Sequence, residues 1–124
     1  MNPQLNHKLT VSGPAPLILA VGLTPPEGAD ADFDAWYREE HLADLSKCPG
    51  YIRSRRFKIV QPGSEESAPK YISFHEFEGD ELPMRDLLKT TETEWSKKCM
   101  GSALKTEMNV WRLIDVFGDK EIDF

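Results

Sequence analysis

From Leu17 to Phe117 the hydrophobic pattern switches from strand-like to helical and back, and then does so again; that order limits the folds open to the chain. Leu17-Ile18-Leu19-Ala20-Val21 is a short, continuous apolar run bounded by proline and glycine, the pattern of a strand buried on both faces. Thr24 to Gly28 forms a turn. Asp30 or Asp32 can then cap a helix running to about Ser46, with acidic side chains at the positive end of its dipole, and Pro49-Gly50 stops it. Tyr51 to Val60 alternates as a strand. Gln61 to Pro69 is a loop rich in Pro, Gly, Ser and Glu, and Lys70 to Phe77 is the returning arm of a hairpin. Pro83 suits the first turn of a second helix. Thr91-Glu92-Thr93-Glu94 fits a capping box that restarts it toward Met100, which predicts two short helices with a break. Thr106 to Phe117 supplies the last strand. The order is β-α-β-β-α-β: an α+β, ferredoxin-like arrangement of a four-stranded antiparallel sheet with both helices on one face.

The 124 residues suit a single domain. Residues 14–118 are expected to form it, preceded by a polar, flexible arm over 1–13 and followed by a short acidic tail over 119–124. The strands read as apolar on both sides. In the last one Met108, Val110, Ile114 and Val116 share one parity while Trp111, Leu113 and Phe117 share the other. A bare sheet face of this kind predicts a covering partner, most simply a second copy, so a homodimer is expected.

Net charge is −6, which argues against nucleic acid or an anionic membrane as a partner. Arg53, Arg55, Arg56 and Lys58 are the one basic cluster, read as a solvated edge or as ion-pair partners. Cys48 and Cys99 have no metal-type spacing and fit a reducing compartment, with a single disulfide left open. No segment approaches the ~20 apolar residues of a membrane span. A cytoplasmic protein is expected.

The chemistry concentrates in Asp32 to Leu42. On a helix, Phe33, Tyr37 and His41 recur every four residues, with Leu45 continuing the line and Trp36 and Glu40 as an adjoining pair. His41 then borders the sheet-facing stripe, as a hydrogen-bonded structural histidine or as an acid–base group that titrates near neutrality. His75 lies mid-strand on the parity of Tyr71, Ser73 and Phe77, and shares a cavity with His41 if it takes the helix-covered face. Tyr37 is a candidate relay. Phe33, Trp36, Tyr71 and Trp95 are candidate substrate walls or plain core. Arg55 and Arg112 are candidate anion holders for a carboxylate or enolate, or ion-pair partners. No phosphate loop, nucleophile elbow or tight metal-ligand motif is present, and neither metal nor cofactor is expected.

Phe33-x-x-Trp36-Tyr37-x-x-Glu40-His41-Leu42, then Pro49-Gly50-Tyr51, Arg55-Arg56-Phe57 and Tyr71 to Phe77, resemble the dimeric α+β barrel superfamily and, within it, EthD-like small proteins. The resemblance spans about Pro16 to Phe117. Where relatives often carry a proline shortly after the helix histidine, this chain has Leu42-Ala43-Asp44. The resemblance implies pairing into a dimeric α+β barrel, and it implies reaction only loosely: the superfamily holds polyketide cyclases, cofactor-free monooxygenases, lactone isomerases and haem-degrading enzymes. The resulting expectation is a cofactor-independent enzyme of secondary metabolism. It would act by proton transfer (cyclisation, isomerisation or elimination) on an aromatic or polyketide-like, hydrophobic small molecule. His41 would be the acid–base group, with His75 and Tyr37 orienting or relaying. The alternatives are a cofactor-free monooxygenase of the same fold and a non-catalytic dimer that binds a hydrophobic ligand.

Overall fold

A computed structural model describes residues 15–63 and 68–118; the expected arm and tail lie outside them. The elements are β1 (Leu17–Thr24), α1 (Asp30–Trp36), a π-helical turn (Tyr37–His41), α2 (Leu42–Ser46), β2 (Tyr51–Lys58), β3 (Tyr71–Phe77), α3 (Met84–Lys89), α4 (Glu94–Gly101) and β4 (Lys105–Arg112). All pairings are antiparallel, in the order β2-β3-β1-β4. The apolar run that opens the domain is thus a central strand, as a strand buried on both faces should be. No helix among the described residues is long and apolar enough to cross a membrane.

One expectation is overturned. The sheet does not close into a barrel; it is open, with β2 and β4 as its edges. Four strands are about half the number that the smallest filled barrels use, so a single chain cannot close on itself.

Register fixes which side chains meet. Leu17, Leu19, Val21 and Leu23 of β1 lie opposite Phe77, His75, Ser73 and Tyr71 of β3, all on the helix-covered face. Phe33, Trp36, Tyr37, Leu45, Leu87 and Cys99 pack down from the helices to complete the core. Burying each large apolar side chain here stabilises the fold by roughly 1.5–3 kcal/mol. The opposite face is less apolar than its sequence parity implies. Arg53 and Arg55 both pair with Glu76 there, and Phe57 meets Phe74 edge-on at 5.6 Å. Pro69 folds over Gly22, where a Cβ would fall 2.6 Å from the proline ring.

The helix ends differ in detail from expectation. Ala29, not an aspartate, precedes the first turn of α1; Asp30 instead accepts from the Tyr71 hydroxyl and pairs with Lys70, and Asp32 pairs with Lys98. The break in the second helical region is present, and its cap is Thr93, whose hydroxyl accepts from the Ser96 amide at 3.1 Å.

Candidate functional site

The π-helical turn arranges the aromatic residues of the site. Regular α-helical spacing makes Trp36 and Glu40 neighbours, but the widened turn carries the ring of Trp36 under His41, five residues on. The two rings stack at 4.4 Å with 19° between their planes. Tyr37 meets His41 edge-on at 5.3 Å, and Phe33 meets both Trp36 and Tyr37. Such turns occur chiefly as single-turn insertions and are frequent at functional sites. The platform is held from behind: Trp36 Nε1 donates to Ser96 Oγ at 3.0 Å, and Ser96 Oγ donates to the Thr90 carbonyl at 2.8 Å. Glu40 turns outward and accepts from the Thr93 hydroxyl.

His75 rises from β3 toward this platform, its ring centroid 6.5 Å from that of His41 and nearly perpendicular to it. Both imidazoles are buried. Ser54, the register partner of His75 on β2, makes a 2.7 Å hydrogen bond with Nδ1. Among the described residues, Nε2 of His75 and Nδ1 of His41 are buried without a hydrogen-bond partner. Buried polar atoms are rarely left so in folded proteins, and these two lie beside one cavity.

That cavity measures about 70 Å³ and lies between the sheet and the helices. Leu19, Val21, Leu45, Leu87, Met84, Met100 and Met108 line it with Tyr37, His41 and His75. Thr90 and Thr91 also reach it, but their hydroxyls are spent on the carbonyls of Leu87 and Leu88, which leaves the walls apolar around the two imidazoles. Met84, Leu88 and Met108 are half or more exposed and mark the mouth, between α3 and the β4 edge. Three of the four methionines of the chain line this one space. Their unbranched, polarisable side chains suit a wall that must shift for a guest.

Desolvation sets the electrostatics. Burial pushes the His41 pKa down to about 4. His75 falls to about 3, mainly through burial and further through the positive charges that His41 and Arg56 bring near. Both rings are therefore neutral at pH 7, able to donate from one nitrogen and accept at the other. Burial also raises the Tyr37 pKa, so its phenol stays protonated.

Of the side chains singled out from sequence, His41, His75 and Tyr37 come together at the cavity, with Trp36 behind His41 and Phe33 one ring further out. Tyr71 packs on Phe33 at the far end of the core, where its bond to Asp30 pushes its pKa up to about 12. Trp95 is half-buried against the core and does not line the cavity. Arg55 lies on the opposite sheet face with Glu76, and Arg112 ties the Ala15 and Asp80 carbonyls together; neither reaches the cavity. Of the β2 arginines, Arg56 takes the helix side, where it pairs with Asp34 and covers the Tyr37 ring at 4.2 Å. Sequence reasoning passed over Ser54 and, though it read Met100 as a wall or core residue, did not join it with Met84 and Met108 into one wall. Strand register was the missing information for the first, and three methionines distant in sequence gave no local pattern for the second. Among the described residues no group of three or more His, Cys, Asp or Glu side chains is placed to hold a metal ion.

Searches against protein-family models and against curated proteins return no match. Solved structures do match. A candidate antibiotic-biosynthesis monooxygenase from Bordetella bronchiseptica superposes with a TM-score of 0.59 at 17% identity, covering 82% of this chain and 98% of that one. An ethyl tert-butyl ether D (EthD) family protein from Bacillus halodurans gives 0.52 at 19% identity, over 79% and 98%. SnoaB, a cofactor-independent oxygenase from Streptomyces nogalater, gives 0.50 at 10% identity, over 82% and 94%. The likeness is one of fold. It extends to proteins of differing description and selects no single family among them.

Proposed function

We infer that this chain is an intracellular, small-molecule enzyme that oxygenates an apolar, enolisable substrate without a bound cofactor. The observation that carries this is the pair of neutral imidazoles, each with an unpartnered nitrogen, facing each other beside an apolar cavity. One imidazole takes a proton from a carbon next to a carbonyl and the other donates to the enolate oxygen. The electron-rich carbanion so formed reacts with dioxygen in a space that excludes water. The superposition on SnoaB and on the Bordetella protein supports oxygenation over simple proton transfer. Cyclisation or isomerisation by the same two groups is the second reading, because the histidine pair itself serves either outcome. Both cysteines are free and buried, in keeping with a reducing compartment.

The cavity is under half of the ~150 Å³ that accommodates benzene, so an aromatic guest requires Met84 and Met108 to swing aside. The mouth opens beside the exposed edge strand β4, which presents Met108, Val110 and Trp111, and we infer that two copies associate along that side, as open sheets, and so shelter the entrance.

The test is an oxygen electrode run with a panel of enolisable aromatic ketones, with products analysed in parallel. Oxygen uptake that falls roughly 10²- to 10⁴-fold in His41→Ala and in His75→Ala is the expected result. Turnover without oxygen uptake selects the proton-transfer reading. Binding without turnover across the panel overturns an enzymatic role.

A further inference from the structure

β2 carries an irregularity that the cavity alone does not explain. Side chains three apart on a regular strand point to opposite faces, yet Tyr51 and Ser54 meet on the same one. The register slips by one residue between Tyr51 and Arg53, and the extra residue is Ile52, a β-bulge that turns Tyr51 onto the helix-covered side. There its ring packs edge-on against Phe77 at 5.7 Å, and its hydroxyl lies 2.7 Å from Ser54 Oγ. Ser54 Oγ is in turn 2.7 Å from His75 Nδ1. The three polar groups form an unbroken line from His75, in the interior of the sheet, to half-buried Tyr51 on the edge strand.

We propose that Tyr51 and Ser54 are a proton relay that connects Nδ1 of His75 to solvent, so that its Nε2 acts as a base in the cavity without the ring ever carrying a charge. The geometry allows both directions of the chain, since every link is a hydroxyl or an imidazole able to donate or accept. In one tautomer Nδ1–H donates to Ser54 Oγ, Ser54 donates to Tyr51 Oη, and the Tyr51 hydroxyl proton points outward. A carbon acid in the cavity then loses its proton to Nε2 and keeps the bonding electron pair. The Nδ1 proton passes to Ser54, the Ser54 proton to Tyr51, and the Tyr51 proton to a base in the solvent. Four bonds to hydrogen break and four form, all three residues end neutral, and the substrate alone becomes an anion. Return of a proton to the product runs the line inward and restores the first tautomer.

A relay answers a difficulty that the burial creates. An imidazole this deeply desolvated, with His41 and Arg56 as its charged or chargeable neighbours, resists becoming imidazolium. A base that had to hold the proton as a cation would be weak here; one that hands a proton on from its other nitrogen is not. His41 has no such hydrogen-bonded line at Nδ1, which assigns the outward proton route to His75 and leaves His41 to donate to the developing oxyanion. Tyr51 and Ser54 are positioning and relay residues, acting on the substrate only through His75.

The proposal rests on the acid–base reading of the cavity, and its test needs no substrate, so the two can fail separately. The probe is water itself: exchange of the His75 imidazole proton with solvent, measured by ¹⁵N-resolved NMR on the full chain at about pH 7, with His75→Gln to assign the resonances. Ser54→Ala and Tyr51→Phe should each slow that exchange by about tenfold or more, because without the line the ring exchanges only through local opening. Ser54→Thr, which keeps the hydroxyl on a residue suited to a strand, should restore it. Backbone amide exchange of β2 and β3, recorded in the same samples, should stay unchanged and so exclude loosening of the sheet. Undiminished imidazole exchange in either Ser54→Ala or Tyr51→Phe overturns the three-residue route, as does slowing that Ser54→Thr fails to reverse.

Discussion

Two histidines carry a stability signature as well as a chemical one. An unfolded chain holds both at about the ordinary value of 6.5, whereas the folded protein holds His41 near 4 and His75 near 3. Between those limits the unfolded state binds protons that the folded state refuses, so acid favours unfolding. Stability is complete above pH ~6.5 and declines as pH falls, by up to ~1.4 kcal/mol per pH unit for each histidine. Urea unfolding between about pH 7.5 and 5.5, above the range where most carboxylates titrate, should show that slope. His75→Gln, which cannot titrate, should reduce it by about half. A flat profile would mean that the imidazoles charge freely in the folded state, and hence that water reaches them. The helical spacing of Phe33, Tyr37 and His41 was legible from the residues alone. Stacking of Trp36 on His41 was not, because it depends on a π-helical turn that no local residue pattern announces.

The elements were readable where one physical preference dominated. Apolar β1 became the central strand, Pro49-Gly50 ended the first helical region, and the hairpin of β2 and β3 formed around the polar loop. Gly50 adopts φ +82 at that stop, a conformation for which glycine alone carries no steric cost. Legibility failed where a single inserted residue changes facing. Simple alternation groups Tyr51 with Arg53 and Arg55; the bulge at Ile52 separates them and sends Tyr51 inward while both arginines remain on the far face with Glu76. The cap of α4 likewise falls two residues beyond the Thr91 that opens the expected capping box, since Thr91 and Thr93 both precede acidic residues and only packing chooses between them. Thr93 serves two contacts, the Ser96 amide and the Glu40 carboxylate, so it joins the start of α4 to the π-helical turn. Thr93→Ala should therefore cost about 1 kcal/mol of stability for the cap alone, read as a lower urea midpoint with an unchanged slope. Glu40→Gln retains an acceptor for the Thr93 hydroxyl and should cost markedly less.

At the scale of the whole molecule, the cavity and the unpaired edge of the sheet lie together. Met108 lines the mouth and belongs to β4, where Val110 and Trp111 are also more than half exposed, and beyond the strand Ile114 and Phe117 are exposed in turn. An edge strand of eight residues with apolar side chains on both faces is a template for association unless something covers it. Electrostatics speaks against a casual contact: each chain carries a net charge of −6, so two copies repel at long range and only short-range apolar burial can hold them. That balance gives the proposed pairing a distinctive salt dependence. Screening removes the repulsion and leaves the apolar contact intact, so sedimentation equilibrium should show association strengthening from low ionic strength to ~0.15 M, where the Debye length is ~8 Å. An association held by ion pairs would weaken instead. Val110→Glu places a further negative charge on the edge of each copy and should yield single chains at micromolar concentration. Because Met108 is shared between the edge and the entrance, the same variant should lose turnover while its urea midpoint stays close to that of the parent when the parent is diluted until it too is a single chain. A parent protein that sediments as a single chain at every salt concentration would leave the cavity mouth open to water, against the dry site that the proposed carbanion chemistry requires.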